Sequence, residues 1–248
     1  MSQSSTTPVG DDLTALRDEL VLANHVLVRQ GVLDAFGHVS ARTAPGEDAF
    51  LLARNLAPGS VTSDDLFVHD LDGNAQGELP MYLERFIHAE IYRRRPDVMA
   101  VVHSHSPSVV PFSVSETPLR PVIHMAGFLS AEKTPVYEMS DHAGDASDLL
   151  ITSSYLGRML AATLDGHSVA LMRGHGSVAT GSSVREAVYR AVYTETNARV
   201  QIEALALGPA RYLSAGEAKA ANETVGAQSD RAWNVWRSQI LREGSETR

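Results

Sequence analysis

Three histidines and one glutamate have the types and spacing to hold an ion. His103 and His105 form an H-x-H pair directly behind the apolar run Met99-Ala100-Val101-Val102. On a strand, residues i and i+2 point to the same face about 6.6 Å apart, within reach of two imidazoles sharing one ion. His175 lies in Arg173-Gly174-His175-Gly176, where the flanking glycines let the backbone turn and approach closely. Glu84 is 19 residues upstream of His103, near the start of a helix that runs into the His103 strand, with His88 on the same helix face. A carboxylate beside three imidazoles completes the sphere of a divalent ion or, once displaced, serves as a general acid or base. These donors suit Zn, Mn, Fe and Co alike, so one divalent metal per subunit is expected without a choice among them. His69, His142 and His167 stand in polar, turn-like surroundings and read as surface residues.

The elements that must position these groups follow from periodicity and punctuation. Asp11 or Asp12 is placed to cap a first helix with apolar positions Leu13, Leu16, Leu20, Val26 and Leu27, ended by Gly31. Phe36 to Arg42 reads as a strand entered from a tight turn, and Phe50 to Ala53 and Leu66 to His69 as short strands. Asp72-Gly73-Asn74 is a hairpin signal. A helix from Tyr82 to Arg95 is stopped by Pro96. The run into His103 reads as a buried strand, and Pro121 to His124 and Ser168 to Met172 as further strands. Ser153 or Ser154 caps a helix to about Leu164; a long helix spans roughly Val184 to Leu207 and ends at Gly208-Pro209. Ser214 and Glu217 form a capping box, and Trp233, Trp236 and Ile240 form an apolar stripe on a last helix.

Composition narrows the class. With 248 residues and no polar linker between interspersed strands and helices, we expect one α/β domain over residues 11–248 behind a disordered arm, residues 1–10. The absence of cysteine excludes disulfides, thiolate ligands and a cysteine nucleophile, and suits a reducing cytoplasm. A formal charge of −9 lacks the basic field that attracts phosphate backbones, so nucleic acid is not the expected partner. A hydrophobic share of 44% and mean hydropathy of −0.11 are globular values, and no apolar run is long enough to cross a membrane. The polar, acidic start MSQSSTTPVGDD is the reverse of a signal peptide.

Taken together, Gly37-His38-Val39-Ser40-Ala41-Arg42, then Glu84, His88, Ile91 and Tyr92 followed by Arg95-Pro96-Asp97-Val98, then Ala100-Val101-Val102-His103-Ser104-His105, then Gly174-His175-Gly176, resemble the class II aldolase/adducin family over roughly residues 13–207. The resemblance implies a layered α/β fold with a central mixed or antiparallel sheet flanked by helices. It implies that His103, His105 and His175 ligate the metal and that Glu84 is the catalytic carboxylate. It also implies a homotetramer with sites at subunit interfaces, which the apolar C-terminal stripe would serve.

The sequence departs from the sugar-phosphate aldolases of that family where they hold phosphate. His38 follows Gly37 in place of asparagine, Arg54-Asn55 replaces a T-G turn, and Tyr82-Leu83 replaces an S-S pair. Small donors have become bulky groups, which suits a planar carboxylate without phosphate. The G-H-V-S-A-R variant is similar to members that decarboxylate hydroxylated aromatic dicarboxylates, and it also resembles a branch of non-haem iron oxygenases. The expected function is therefore a metal-dependent lyase that decarboxylates a hydroxylated aromatic or β-keto acid through an enolate. Glu84 or His38 would return the proton, and Arg54, Asn55 and Tyr82 would bind substrate, with Arg54 preferred over Arg42, Arg85 and Arg173 as the carboxylate clamp. An aldolase on an unphosphorylated substrate, an iron oxygenase and a non-enzymatic adducin-like module are the alternatives, in that order.

Overall fold

The computed structural model describes residues 9–75 and 79–246 of the chain. Among these residues seven strands form one sheet: β1 (His38–Arg42), β2 (Ala49–Ala53), β3 (Leu66–Asp70), β4 (Ala100–Ser104), β5 (Val136–Tyr137), β6 (Val169–Met172) and β7 (Gly176–Gly181). Their order is β3-β2-β1-β4-β7-β6-β5, and every pairing is antiparallel except β5 with β6. Among the described residues eight α-helices accompany it: α1 (Val9–Arg29), α2 (Arg85–Arg94), α3 (Val110–Val114), α4 (Ser140–Ala143), α5 (Ser154–Leu164), α6 (Val184–Leu207), α7 (Ala215–Val225) and α8 (Ser229–Glu246). The sheet is mixed and flanked by helices, as the resemblance implied.

Alternate residues of a strand face opposite sides, so a strand buried at every position has both faces covered. All five residues of β1 and of β4 are buried, as are all of β6 and β7. His38 and Ser40 reach α2 through its His88 and Tyr92, while α1 packs on β1 and α6 on β4 and β7. α2 and α5 lie so close that a Cβ on Gly157 would stand 2.5 Å from the Phe86 carbonyl oxygen. The caps are those the sequence marks. Ser153 accepts from the Leu156 N–H, Ser183 accepts from the Glu186 N–H, and Ser214 with Glu217 closes a capping box. The Asp72-Gly73-Asn74 turn forms with Gly73 at φ 81°, and Asp70 accepts the N–H groups of Asp72 and Asn74.

Four expectations are corrected. The chain is already helical at Val9, so Asp11 and Asp12 lie within α1 rather than ahead of it; residues 1–8 of the expected arm lie outside the described residues. Residues 121–124 are not a strand: the N–H groups of Val122 and Ile123 donate to the Asn197 side chain, which takes the place of a ladder neighbour. His69 is fully buried on β3, stacked on Phe50 at 5.2 Å, because strand alternation turns it inward. The C-terminal stripe is covered by the chain itself. Trp233 and Trp236 are 2% and 7% exposed, under Arg185 and beside Tyr193, so that stripe calls for no second subunit.

Candidate active site

β1 and β4 place His38 and His103 directly opposite each other. Directly opposed residues share a face, so both imidazoles stand under α2, whose preceding residue is Glu84. Glycine is required at two of the positions that build this corner. Gly37 has φ 85°, and a Cβ there would lie 2.8 Å from the His103 carbonyl oxygen. A Cβ on Gly176 would stand 2.1 Å from the Ser104 carbonyl oxygen, so only glycine lets β7 carry His175 in beside His105.

Four groups converge. The Nε2 atoms of His103 and His105 are 3.1 Å apart, and those of His175 and His105 3.0 Å. Glu84 Oε2 lies 3.4 Å from His103 Nε2 and 3.5 Å from His175 Nε2. One donor atom from each of the four residues falls within 4.8 Å of the others. The far sides of the rings settle which atoms carry protons. Nδ1 of His103 donates to the Ser177 carbonyl at 3.1 Å, and Nδ1 of His175 donates to the Leu149 carbonyl at 2.9 Å. Each of these rings, when neutral, therefore turns a lone pair towards the centre, where the carboxylate oxygen adds more negative charge. Lone pairs at this spacing repel unless a cation or shared protons lie among them. The donor set, three neutral nitrogens and one carboxylate oxygen, fits a divalent transition metal.

The electrostatics agree with crowding. Burial pushes His105 down to about 4, reinforced by His103 and His175. Burial pushes the Glu84 carboxyl up, but His103 and then His175 outweigh it and hold the group below the usual carboxylate range. Burial lowers His175 too, and Glu84 outweighs it to leave His175 above its ordinary value.

Sequence reasoning missed the segment that holds these groups in place. Leu149 offers its carbonyl to His175 from φ 67°, a left-handed conformation that is strained for leucine by on the order of 1 to 3 kcal/mol. Two residues on, the Ile151 N–H donates to Glu84 Oε1 at 3.0 Å. No motif marks this apolar triplet. It was also silent on His88, Ser40 and Tyr92 as partners of His38: His38 Nδ1 and His88 Nε2 are 2.6 Å apart, His88 Nδ1 and Ser40 Oγ 2.6 Å, and Ser40 Oγ and the Tyr92 hydroxyl 2.7 Å. Burial drives both His38 and His88 well below the ordinary histidine value.

A cavity of about 300 Å³ opens beside the cluster, lined by Glu84, His105, His38, Asn55 and Tyr82 together with Phe36, Leu56, Leu83 and Leu150. Asn55 and Tyr82, the expected substrate-binding groups, both line this cavity. Arg54 does not join them. Its Nε donates to Asp65 at 2.7 Å, and it is not among the residues lining the cavity. The other arginines are engaged as well. Arg42 is buried and donates to the carbonyls of Tyr92, Val98 and Glu47; Arg85 donates to those of Gly73 and Tyr82; Arg173 is paired with Glu138. Among the described residues no lysine or arginine lines this cavity. The described helices include none long and apolar enough to cross a membrane.

Residues 18–202 match the family model described as Class II Aldolase and Adducin N-terminal domain. Decarboxylase tropJ of Talaromyces stipitatus is 38% identical over 237 residues, spanning 86% of this chain and 89% of its own. The 3,4-dihydroxyphthalate decarboxylase of Arthrobacter keyseri is 32% identical, spanning 78% of this chain and 80% of its own. Among solved structures, the L-fuculose 1-phosphate aldolase of Glaciozyma antarctica superposes with a TM-score of 0.78 at 22% identity, covering 98% of this chain and 96% of that one.

Proposed function

Because the chain belongs to the class II aldolase and adducin family, we propose that it is a divalent-metal-dependent carboxy-lyase. Its substrate on this reading is a hydroxylated aromatic or β-keto acid that carries no phosphate. The observation that carries the reading is the convergence of His103, His105, His175 and Glu84, of which Glu84 and His105 stand at the wall of an apolar-lined cavity. The two decarboxylase relatives support the choice of reaction.

His103, His105 and His175 would hold the metal, which when bound supplies Lewis acidity towards a substrate hydroxyl or keto oxygen. Phe36, Leu56, Leu83 and Leu150 give the cavity apolar walls that would receive the planar ring. Glu84, ionised in the resting site, is set to accept the hydroxyl proton, with Ile151 holding its other oxygen. When the bond to the carboxylate breaks, its electron pair stays with the substrate and CO2 leaves; Glu84 passes to the carbon left behind the proton taken from the hydroxyl, or one taken from water where a β-keto acid offers no hydroxyl, and a proton from solvent restores the phenol. His38 faces the same space and offers the substrate a polar contact where phosphate-binding relatives have a smaller group. We place the enzyme in the cytoplasm as a homotetramer, the first on its lack of cysteine and the second on family resemblance. A monomer active at micromolar concentration in sedimentation would remove the tetramer.

The test is a panel of hydroxybenzoic, hydroxyphthalic and β-keto acids, incubated with the zinc-, manganese- or iron-loaded protein. CO2 release without O2 uptake is expected from at least one of them. Oxygen consumption coupled to turnover would move the protein to the iron oxygenases, and efficient cleavage of a sugar phosphate would defeat the reading of the altered pocket.

A further inference from the structure

Behind His38 runs a line of four buried polar groups that ends in the core. His38, Ser40, His88 and Tyr92 are each no more than 3% exposed, and they are joined end to end by contacts of 2.6, 2.6 and 2.7 Å. Each contact needs one proton, and a line of this kind can be protonated in only two ways, running in opposite directions. The far end decides between them. Among the described residues, Ser40 Oγ is the one hydrogen-bond partner within reach of the Tyr92 hydroxyl. If Ser40 donated to Tyr92, the phenolic O–H would be left buried without an acceptor, which is expensive in a dry interior. Tyr92 therefore donates to Ser40, Ser40 donates to His88 Nδ1, and His88 Nε2–H donates to His38 Nδ1. His38 is left with its proton on Nε2, the nitrogen for which no protein partner is present among the described residues, and its ring lines the cavity.

We infer that Tyr92, Ser40 and His88 are positioning residues that lock His38 in the Nε2–H tautomer and so present a fixed N–H donor to the substrate's carboxylate. The lock itself is a property of the chain; its use on a carboxylate rests on the function proposed above. It answers a question the cavity raises. No arginine or lysine among the described residues lines it, so the acid needs another donor, and a neutral N–H of fixed direction is one that does not swing away. Neutral His38 could otherwise place either nitrogen's lone pair towards an anion, a repulsive arrangement.

The tautomer is read directly from the 15N shifts of His38 in the histidine-labelled, zinc-loaded protein, with no substrate and no turnover. The wild type should show Nε2 protonated and Nδ1 bare. Ser40→Ala and Tyr92→Phe should each give a mixture of tautomers, and Ser40→Thr, which keeps the hydroxyl, should restore the wild-type spectrum. In an active preparation the loss of one directed hydrogen bond should lower kcat/KM by about tenfold, mostly through KM. A bare Nε2 in the wild type overturns the inference whatever the variants do, as do unchanged shifts in both folded variants. Failure of the lyase reading would be seen separately, as absent CO2 release from a protein whose His38 is still locked.

Discussion

Two histidine clusters meet at the β1–β4 pair, built from the same side chain and opposite in design. In one, His103, His105 and His175 aim Nε2 at a common point together with the Glu84 carboxylate, the outer nitrogens of His103 and His175 being tied to backbone carbonyls. In the other, His38 and His88 stand in file with Ser40 and Tyr92, each contact able to hold one proton. The first is a set of acceptors that fits a cation or shared protons at its centre. The second is satisfied within itself except at its outer end, where His38 Nε2 faces the cavity. The backbone decides which is which. A ring whose Nδ1 is claimed by a carbonyl can only offer a lone pair, whereas a ring between two side chains passes a proton direction along.

The sharpest way to break this contrast is metal stoichiometry. His103→Ala, His105→Ala and His175→Ala should each abolish stoichiometric metal, measured by elemental analysis after dialysis. His88→Asn, in the file, should keep one ion per chain. Full occupancy in all three alanine variants, or its loss in His88→Asn, would erase the distinction. Next in size is Glu84→Gln. It keeps shape, still accepts from Ile151 and removes the titratable proton, so the fold should survive while turnover falls by about 10²-fold or more. Near-normal turnover would move the acid–base role from the converging cluster to the file, at His38.

Much of the converging cluster was legible because its residues announce themselves. H-x-H behind an apolar run and a histidine between glycines are each weak signals alone, and it is their combination with Glu84 in chain order that is specific. The file was not, since His88, Ser40 and Tyr92 are ordinary core residues until a helix is laid across a strand. Register across the β1–β4 pair is a long-range property that local pattern does not carry. The same limit explains β7, whose Gly-Ser-Val-Ala-Thr-Gly sequence lacks a bulky alternation, and residues 121–124, whose apolar look reflects packing rather than pairing. His69 was misplaced for a related reason. Its sequence neighbours are polar, but strand alternation turns it inward on to Phe50.

A smaller effect separates the clusters by proton uptake. His38 and His88 are held well below the ordinary value of 6.5, and His105 at about 4, so the metal-free fold keeps all three neutral where the unfolded chain would bind protons. Their contribution to stability is therefore present above pH 6.5 and is lost as pH falls below it, ceasing to change for His105 once its folded value near 4 is passed. Each group steepens the loss by about 1.4 kcal/mol per pH unit. His38→Asn should flatten the slope by one proton in urea titrations between pH 6 and 5. Metal should change the part of the slope that belongs to His105 and leave that of the file alone. A slope indifferent to His38→Asn would mean that the file is not a pair of neutral imidazoles.

The smallest expected effect lies outside both clusters. Arg54 replaces a ligand-binding turn of phosphate-binding relatives, which made it the sequence's choice for a carboxylate clamp. In the structure its Nε meets Asp65 at 2.7 Å, with the arginine side chain 34% and the aspartate 13% exposed. Asp65 is itself held by the Thr62 hydroxyl and N–H, so the pair is tied to the turn ahead of β3 rather than to the cavity. A partly exposed ion pair of this kind stabilises by about 0 to 1 kcal/mol. Arg54→Ala should accordingly lower stability by no more than that and change KM by less than about twofold. Should KM instead rise by tenfold or more with the fold intact, Arg54 must leave Asp65 when substrate binds. The donor to the carboxylate would then be a mobile guanidinium, and His38, fixed as it is, would lose the role that its cluster has been given.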